Sequence, residues 1–223
     1  MIRLKNVSKK YDELEILKDF NISIEENKIT CLFGCSGVGK TTIANIIAGL
    51  IPIDKGEITG TEHAVFSYVF QEPRLLEWYN VYDNIDFVLK DIYDNDKRKK
   101  IVSSYIEMVE LTDYKLFMPR ALSGGMAQRV SLARAFAYPS NILIMDEPFK
   151  GLDVKLKKDM IALFLMLWNV SKRTVLFITH DVDEAVTLSN TIHIIKNKHA
   201  ILAQTIDVDN TDNKDSIKTI LLS

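Results

Sequence analysis

Short apolar runs separated by polar turns fill most of the chain, and their lengths and alternation predict strands. Two runs rich in β-branched residues, Ile142–Met145 and Val175–Thr179, are typical of buried parallel strands. A hairpin is expected where Thr191–Ile195 and His199–Leu202 are joined at residues 196–198. The other predicted strands are Ile2–Leu4, Phe20–Ile24, Ile29–Phe33 and Val65–Phe70.

Helical periodicity appears in two other parts of the sequence. After the strand Ile29–Phe33, apolar residues at i, i+3, i+4 and i+7 form one face of a helix that Gly49 and Pro52 end. A second stripe of the same period lies between Asp83 and about Tyr114. The pattern predicts an α/β core with a mainly helical insert at about residues 73–138. The two stripes consist of Ile43, Ile46, Ile47 and Leu50, and of Ile101, Tyr105, Ile106 and Val109.

The composition of the chain mainly argues against certain classes of protein. With 47% hydrophobic and 26% charged residues over 223 positions, the chain is expected to form one large globular domain or two joined lobes. A net charge of −2 gives no sign of a nucleic-acid surface, and the basic run at 97–100 is interpreted as a solvated helix face. The longest apolar stretch, Ile161–Trp168, is far shorter than the roughly 20 residues of a membrane span. Since the N-terminus lacks the apolar core of a signal peptide, we expect a cytoplasmic protein.

A glycine-rich stretch after the strand Ile29–Phe33 carries the first candidate chemistry. It fits G-x-x-x-x-G-K-[ST] between a strand and a helix, which is typical of a loop that binds nucleotide phosphates. Lys40 is expected to reach the β- and γ-phosphates, and the Thr41 hydroxyl to ligate Mg²⁺. A chance glycine-rich turn is the weaker interpretation. The loop consists of Gly34, Cys35, Ser36, Gly37, Val38, Gly39, Lys40, Thr41 and Thr42.

The two cysteines of the chain, Cys31 and Cys35, both lie at this loop. A disulfide between them would distort the loop, and no histidine nearby in sequence completes a metal site. We therefore predict two reduced thiols. Cys31 is expected to be a small core residue, whereas the direction of the Cys35 side chain is left open.

Two carboxylates end a buried strand and extend the nucleotide interpretation. Asp146 and Glu147 follow Ile142–Met145, and strand alternation points them in different directions. Asp146 is predicted to reach the Mg²⁺ shell, and Glu147 to face the γ-phosphate and polarise an attacking water. The alternative is that the pair only caps the following turn, Pro148 to Gly151.

A second anion-binding pattern occurs at Ser123-Gly124-Gly125, directly before an amphipathic run. One chain has little use for two γ-phosphate sites. Two chains related by a two-fold axis would use both, because each phosphate loop would face the partner's Ser-Gly-Gly. The sequence therefore predicts a dimer with ATP between its subunits.

Taken in order, these motifs resemble the ATP-binding cassette subunit of an ABC transporter, and the resemblance covers nearly the whole chain. It implies a P-loop NTPase (RecA-like) core of α/β class, with an N-terminal antiparallel β subdomain and an inserted α-helical subdomain. It also implies ATP and Mg²⁺ as cofactors. The matching motifs are Tyr11, the loop 34–42, Gln71, the signature Leu122-Ser123-Gly124-Gly125-Met126, Asp146 with Glu147, the D-loop ending at Asp153, and His180.

The resemblance assigns roles to residues outside the phosphate loop. Tyr11 is expected to stack on adenine, the alternative being a buried tyrosine at a strand end. Gln71 is expected to touch Mg²⁺ or its water. His180 is expected to hydrogen-bond the γ-phosphate and orient Glu147. The remaining histidines, 63, 193 and 199, fit no motif.

The signature and the stretch Phe70–Trp78 are similar to the branch that imports nitrate, sulfonates, taurine or pyrimidine thiamin precursors. Met126 stands where Gln is commoner, and Lys150 where many importer cassettes have a small residue. This branch implies a second copy of the chain, two integral membrane permease subunits and, indirectly, a solute-binding protein as partners. It implies no nucleic acid, and a location on the inner face of the cell membrane.

Three other functions are weighed against the importer. An exporter cassette shares the motifs, but the sequence shows no fused membrane domain. Soluble ABC ATPases of DNA repair or translation carry a long coiled coil or two cassettes, and neither pattern occurs here. A catalytically inactive regulatory cassette is disfavoured because Lys40, Asp146, Glu147 and His180 are all present.

Overall fold

Strands and helices alternate along the part of the chain that the structure, a computed structural model, describes: residues 1–196, 200–211 and 214–222. The strands are β1 Ile2–Tyr11, β2 Leu14–Ile24, β3 Ile29–Phe33, β4 Lys55–Thr59, β5 Phe66–Val69, β6 Ile142–Asp146, β7 Thr174–Thr179, β8 Thr191–Lys196 and β9 Ile201–Asp207. The α-helices are α1 Lys40–Ile47, α2 Val81–Asp86, α3 Asn95–Met108, α4 Gly124–Ala137, α5 Val154–Val170, α6 Val182–Leu188 and α7 Lys214–Leu222. Short 3₁₀ turns occupy Phe87–Leu89, Thr112–Tyr114 and Pro119–Ala121.

The chain forms two units, the first made of Met1–Phe66, Asn141–Glu147 and Arg173–Ser223. This unit contains an antiparallel sheet in the order β2-β1-β4 and the strands β6-β7-β3-β8-β9 of a second sheet. β6, β7, β3 and β8 run parallel, and β9 pairs antiparallel with β8. Every residue of β3 and β7 is buried, as expected from their mainly apolar sequences. The carboxyl ends of β3, β7 and β6 therefore meet at one edge of this sheet.

The first two strands are much longer than the apolar runs that predict them. β1 and β2 pair from Ile2 with Ile24 to Tyr11 with Leu14, but the register shifts three times. Asn6 and Asp19 have positive φ angles of 50° and 45°, which is the conformation that breaks a regular ladder. Because these irregularities disturb the alternation of side chains, the sequence pattern reveals only the outer ends of the hairpin.

Helix α1 follows the predicted stripe for most of its length. Ile43, Ile46 and Ile47 are buried, whereas Leu50 lies beyond the end of the helix and is exposed. The helix ends before Gly49, whose φ is 71°. Of the predicted hairpin, β8 and β9 agree with the pattern, while His199 lies outside the described residues.

The second unit, Ser67–Ser140 and Pro148–Lys172, is mainly helical. Its buried stripe on α3 consists of Val102 and Ile106, continued by Val109, with the predicted Ile101 and Tyr105 half-buried beside it. Helices α4 and α5 pack through Phe136 and Phe164, whose ring centroids are 6.1 Å apart. None of the described helices is both long and apolar enough to cross a membrane.

The architecture is the predicted P-loop NTPase type of α/β fold. Its parallel sheet ends in the glycine-rich loop, the antiparallel sheet comes from the N-terminal part of the chain, and a helical unit interrupts the core in sequence.

Candidate functional site

The predicted phosphate loop connects the carboxyl end of β3 to the first residue of α1. Gly34 is required by close packing, because a Cβ atom there would overlap the carbonyl oxygen of Ile195. Gly39 is the N-cap of α1 with a φ of 98°, a left-handed conformation that residues with a side chain rarely adopt. The loop therefore brings its backbone amides and the N-terminus of α1 to the sheet edge, the arrangement that binds anions.

Lys40 is buried within this loop. Its Nζ donates to the carbonyl oxygens of Gly34 and Cys35, each at 2.7 Å. Burial lowers the pKa of Lys40, and the carboxylates of Glu147 and Asp146 oppose that shift. The ammonium group is thus held at the loop by carbonyls that a phosphate group can replace.

Thr41 and Asp146 are brought together as predicted. The Thr41 hydroxyl donates to Oδ2 of Asp146 at 2.9 Å, which joins the start of α1 to the end of β6. Mg²⁺ in nucleotide sites takes one or two protein oxygens, together with waters and phosphate oxygens. A hydroxyl and a carboxylate at this distance fit such an ion, and they are the residues that would hold it.

Glu147 and His180 also meet at this edge. Nδ1 of His180 lies 3.4 Å from Oε1 of Glu147, and the His180 side chain is 47% exposed while that of Glu147 is 11% exposed. Glu147 has a left-handed φ of 46°, and its N–H donates to the carbonyl oxygen of Ile178 in β7 at 3.0 Å. The backbone of Glu147 is therefore held in this conformation, and its histidine partner faces solvent, where a substrate can bind.

Tyr11 and Cys35 are exposed, whereas Cys31 is buried. Tyr11 ends β1 and is 44% exposed, which excludes the buried alternative, and the Lys9 ammonium lies 5.6 Å from its ring centroid. Cys31 is completely buried in β3, and burial raises the pKa of its thiol far above the ordinary value. Cys35 is exposed on the loop.

The second predicted anion-binding site, at Ser123-Gly124-Gly125, lies at the start of α4 in the second unit. Ser123 is the N-cap, and its Oγ accepts from the N–H of Met126 at 3.3 Å. Gly124 is surrounded by open space, whereas a Cβ on Gly125 would come 2.9 Å from Cδ1 of Leu156 in α5. The lack of a side chain thus serves a different purpose at each glycine. Gly124 leaves the helix end accessible, and Gly125 lets α5 pack closely against α4.

An open recess joins the signature to the D-loop within the second unit. Ser123, Gly124 and Asp153 contribute to its lining. Asp153 is the N-cap of α5, and its Oδ1 accepts from the N–H groups of Lys155 and Leu156 at 3.0 and 3.1 Å. The structure gives Asp153 a capping role, and the role implied by the resemblance stays a prediction.

Gln71 is exposed, two residues beyond the end of β5, in the second unit. The sequence pattern places it directly at the strand end, but β5 stops at Val69. Its contact with Mg²⁺ stays a prediction. Beside it, the ring of Phe70 stacks on Tyr68 at 4.2 Å, and the Arg74 guanidinium lies 3.9 Å from the centre of the Phe70 ring.

The loop after Gln71 is organised by Asn84 of α2, which the sequence analysis does not single out. Asn84 is completely buried. Its Oδ1 accepts from the N–H of Leu76 at 2.8 Å. Its Nδ2 donates to the carbonyl oxygens of Leu76, Tyr79 and Asn80 at 3.2, 2.9 and 3.0 Å.

Arg134 of α4 also holds this loop. Its two terminal nitrogens donate to the carbonyl oxygens of Arg74 and Pro73, each at 3.0 Å. Burial lowers the pKa of the guanidinium. Gln128 of α4 is a third polar residue that supports a loop from the interior. It is buried, and its side-chain amide donates to the carbonyl oxygen of Pro148 at 2.7 Å. None of these three residues belongs to a motif, and only their contacts reveal what they do.

Together, the loop, Lys40, the Thr41–Asp146 pair and the Glu147–His180 pair define a P-loop nucleoside triphosphatase. Comparison with known proteins gives the family. A model of the ABC transporter family matches residues 17–150, which is more than half of the chain. The chain belongs to the ABC transporter family, and it is an ATPase cassette of that family.

Among its relatives is the aliphatic sulfonates import ATP-binding protein SsuB of Bacillus cereus, 35% identical over 97% of this chain and 89% of that protein. SsuB 2 of Pseudomonas syringae pv. tomato is 38% identical over 86% of this chain and 81% of that protein. The fold is similar to the dimeric ATP-binding cassette MJ0796 bound to ADP and Pi, with a TM-score of 0.80, 28% identity and coverage of 93% and 99%. It is also similar to cbiO1 from Clostridium perfringens, with a TM-score of 0.84, 22% identity and coverage of 99% and 94%.

Proposed function

We propose that this chain is the ATP-hydrolysing subunit of an ABC importer, working on the inner face of the membrane as a dimer. The observation that carries the proposal is the convergence of Lys40, Thr41–Asp146 and Glu147–His180 at one edge of one sheet. The names of the relatives from Bacillus and Pseudomonas, both import ATP-binding proteins, favour an importer over an exporter.

Each residue of this edge has a defined part in ATP + H₂O → ADP + phosphate. Lys40 binds the β- and γ-phosphates, exchanging loop carbonyls for phosphate oxygens. Thr41 and Asp146 would hold Mg²⁺, which would offset the charge of the phosphate oxygens. Glu147 accepts a proton from the attacking water, and His180 contacts the γ-phosphate while keeping the Glu147 carboxylate in line.

The signature at Ser123–Met126 serves the ATP of a second copy of the chain. Oγ of Ser123 uses a lone pair for the N–H of Met126, which leaves its hydroxyl hydrogen to donate to a γ-phosphate. The exposed start of α4 adds the positive end of the helix dipole. The cassette MJ0796, which has a similar fold, forms a dimer, and this supports the pairing.

Two permease subunits are the expected membrane partners, and a solute-binding protein acts indirectly through them. Helices of the second unit, with Gln71 and the exposed loop from Glu72 to Trp78, form the proposed docking surface for a permease helix. Trp78 is 70% exposed on this loop. The import of an organic sulfonate or a related anion is the proposed function of the whole assembly.

The test combines turnover with oligomeric state. Glu147→Gln keeps the size of the side chain but removes the base, so phosphate release is expected to fall by roughly 10²–10⁴. ATP binding should survive, and light scattering should show a dimer in ATP that wild type forms only transiently. Normal turnover in Glu147→Gln would exclude this residue as the base.

The transport role has its own test. The tagged chain is expressed in its native cells, and the membranes are solubilised in detergent and purified by the tag. Co-purification of a permease, and its loss when Trp78→Ser and Phe87→Ser are combined, is the expected result. Retention of ATPase activity without any permease in the complex would point to a soluble ABC ATPase instead.

A further inference from the structure

A closed ring of hydrogen bonds surrounds the backbone of His180. The hydroxyl of Thr179 donates to Oε2 of Glu184 at 2.6 Å. The same hydroxyl oxygen accepts from the N–H of Asp181 at 3.0 Å. Oδ1 of Asp181 in turn accepts from the N–H of Glu184, also at 3.0 Å. His180 is the one residue between the two backbone positions that this ring fixes.

The ring differs from an ordinary helix cap. In a capping box the glutamate three residues after the N-cap accepts directly from the N-cap N–H. Here Asp181 is the N-cap of α6 and Glu184 has the expected spacing, but the Thr179 hydroxyl stands between the carboxylate and that N–H. The cap is therefore extended backwards across His180 to the last residue of β7.

Thr179 and Glu184 are both almost completely buried, with 2% and 3% of their surface exposed. A carboxyl group buried to this extent costs free energy unless it is hydrogen-bonded. The Thr179 hydroxyl supplies a bond to it, and the N-terminal turn of α6 is a favourable place for an acidic side chain. The Glu184 carboxyl is thus fixed in the interior, and it fixes the hydroxyl in turn.

The backbone at Thr179 also reaches the rest of the site. Its carbonyl oxygen accepts from the N–H of Gly34, the first residue of the phosphate loop, at 3.4 Å. The preceding residue, Ile178, accepts from the N–H of Glu147 at 3.0 Å. A shift of the backbone at Thr179 would therefore change the position of His180 relative to both the phosphate loop and the general base.

We propose that Thr179 and Glu184 are positioning residues that hold the His180 imidazole at its place beside Glu147 and the γ-phosphate. The proposal rests on the proposed function, in which His180 acts on bound ATP. Neither residue touches substrate. Their effect on hydrolysis passes through His180, with Nδ1 of His180 3.4 Å from Oε1 of Glu147 as the contact that they maintain.

The first experiment compares two nearly isosteric pairs of variants. Thr179→Val removes the hydroxyl and Thr179→Ser retains it; Glu184→Met removes the acceptor and Glu184→Gln retains an amide oxygen in its place. Thr179→Val and Glu184→Met are expected to lower kcat about tenfold with KM for ATP changed less than about twofold, because the lost contact matters in the transition state. Thr179→Ser and Glu184→Gln should stay within about threefold of wild-type kcat.

The deciding experiment is a double-mutant cycle with His180→Ala, read as single-turnover phosphate release. If Thr179 acts through His180, Thr179→Val should cause no further loss in the His180→Ala background. An equal loss in both backgrounds would overturn the proposal and leave only a structural role for the ring. Should Thr179→Val not fold, the Glu184 pair is taken through the same cycle with the same two outcomes.

The proposed function fails in a different way. Wild-type chain that releases no phosphate, or releases it equally with Lys40→Ala, would contradict ATP hydrolysis itself. Suppose instead that wild type releases phosphate normally and that Thr179→Val causes the same fold-loss with and without His180→Ala. That result would contradict only the positioning role of Thr179 and Glu184.

Discussion

Glu147 carries backbone strain at the point where the chemistry is proposed. Its φ of 46° is left-handed, a conformation that costs a residue with a side chain on the order of 1–2 kcal/mol. The N–H bond to Ile178 holds the residue there. Strain at a functional position is retained when the surrounding structure requires that geometry, and here it directs the carboxylate towards His180.

This strain can be measured with a matched pair of variants. Glu147→Gly and Glu147→Ala both remove the carboxylate, but only glycine adopts the left-handed conformation without cost. We expect Glu147→Gly to be more stable than Glu147→Ala by about 1 kcal/mol, despite the greater freedom of glycine in the unfolded chain. Thermal melts without nucleotide give the comparison. A lower Tm for Glu147→Gly than for Glu147→Ala would show that little strain is stored at this residue.

The two cysteines provide a second prediction at the scale of single residues. Cys35 is exposed on the phosphate loop, whereas Cys31 is buried and burial raises the pKa of its thiol. Maleimide should therefore label Cys35 first, as mapped by peptide mass. Mg-ATP should slow the labelling because nucleotide covers the loop. Cys35→Ser should hydrolyse ATP much like wild type, and labelling of Cys31 before Cys35 would contradict the exposure described here.

At the scale of elements, α4 connects the signature to the loop that follows Gln71. The helix begins at the Ser123 cap, and Arg134 near its other end donates two bonds to the carbonyls of Pro73 and Arg74. The planar guanidinium presents two nitrogens to the two carbonyls in a fixed fork, which the single, flexible ammonium of a lysine at this position does not reproduce. Arg134 and the buried Asn84 therefore give a loop of irregular backbone a defined shape.

Arg134→Lys tests this connection. Loss of one of two charged hydrogen bonds, each worth roughly 1.5–3 kcal/mol, should speed amide hydrogen exchange in residues 73–80 about tenfold or more. Mass spectrometry of the peptide that covers the loop gives the rate. Arg129→Lys is the matched control, because Arg129 lies on the same helix but bonds Val109 and Glu110 instead. Unchanged exchange in Arg134→Lys, or equal acceleration in both variants, would refute a specific role for Arg134.

The elements that the sequence reveals are those with uniform burial. β3, β6 and β7 are mainly apolar runs, so their positions are predicted within a residue. The hairpin β1–β2 is missed over most of its length, because Asn6 and Asp19 interrupt its alternation. On α3 the predicted stripe starts one position early, at Ile101 instead of Val102, since periodicity alone does not distinguish half-buried from fully buried neighbours.

The residues of the candidate site likewise fall into those that the sequence predicts and those that it does not. Glycine-rich spacing and paired carboxylates point to Lys40, Thr41, Asp146 and Glu147, because phosphate and metal chemistry restricts the residue types. The supporting residues Asn84, Arg134 and Thr179 are hidden, since they fit no motif and only their contacts in the folded chain reveal them. The loop partners of Asn84 and the hydroxyl partners of Thr179 lie within eight residues, whereas the carbonyls that Arg134 bonds lie 60 and 61 residues away. Glu184 is the exception: its spacing from Asp181 fits a capping pattern that could have been recognised.

At the scale of the whole molecule, the phosphate loop and the signature are proposed to act together across a pair of chains. The phosphate loop and the signature belong to different units of the chain, and each is accessible in the described structure. Two copies related by a two-fold axis would form two composite sites, each from one loop and the partner's signature. A defect in the loop and a defect in the signature should therefore complement each other when they lie on different chains.

Mixing Lys40→Ala with Ser123→Arg tests that arrangement. Each variant alone has both composite sites damaged, so neither should hydrolyse ATP or dimerise stably with it. In the mixed dimer the two defects fall on the same site and the other site is intact. With random pairing, roughly a quarter of wild-type sites are restored, and phosphate release should recover to at most that fraction.

The matched control mixes Lys40→Ala with Glu147→Gln, whose defects both lie on the loop side and leave no site intact. Recovery only in the first mixture is expected, because only there do an undamaged loop and an undamaged signature meet across the axis. No recovery, with no nucleotide-dependent dimer by light scattering, would mean that the signature does not act on the partner's ATP.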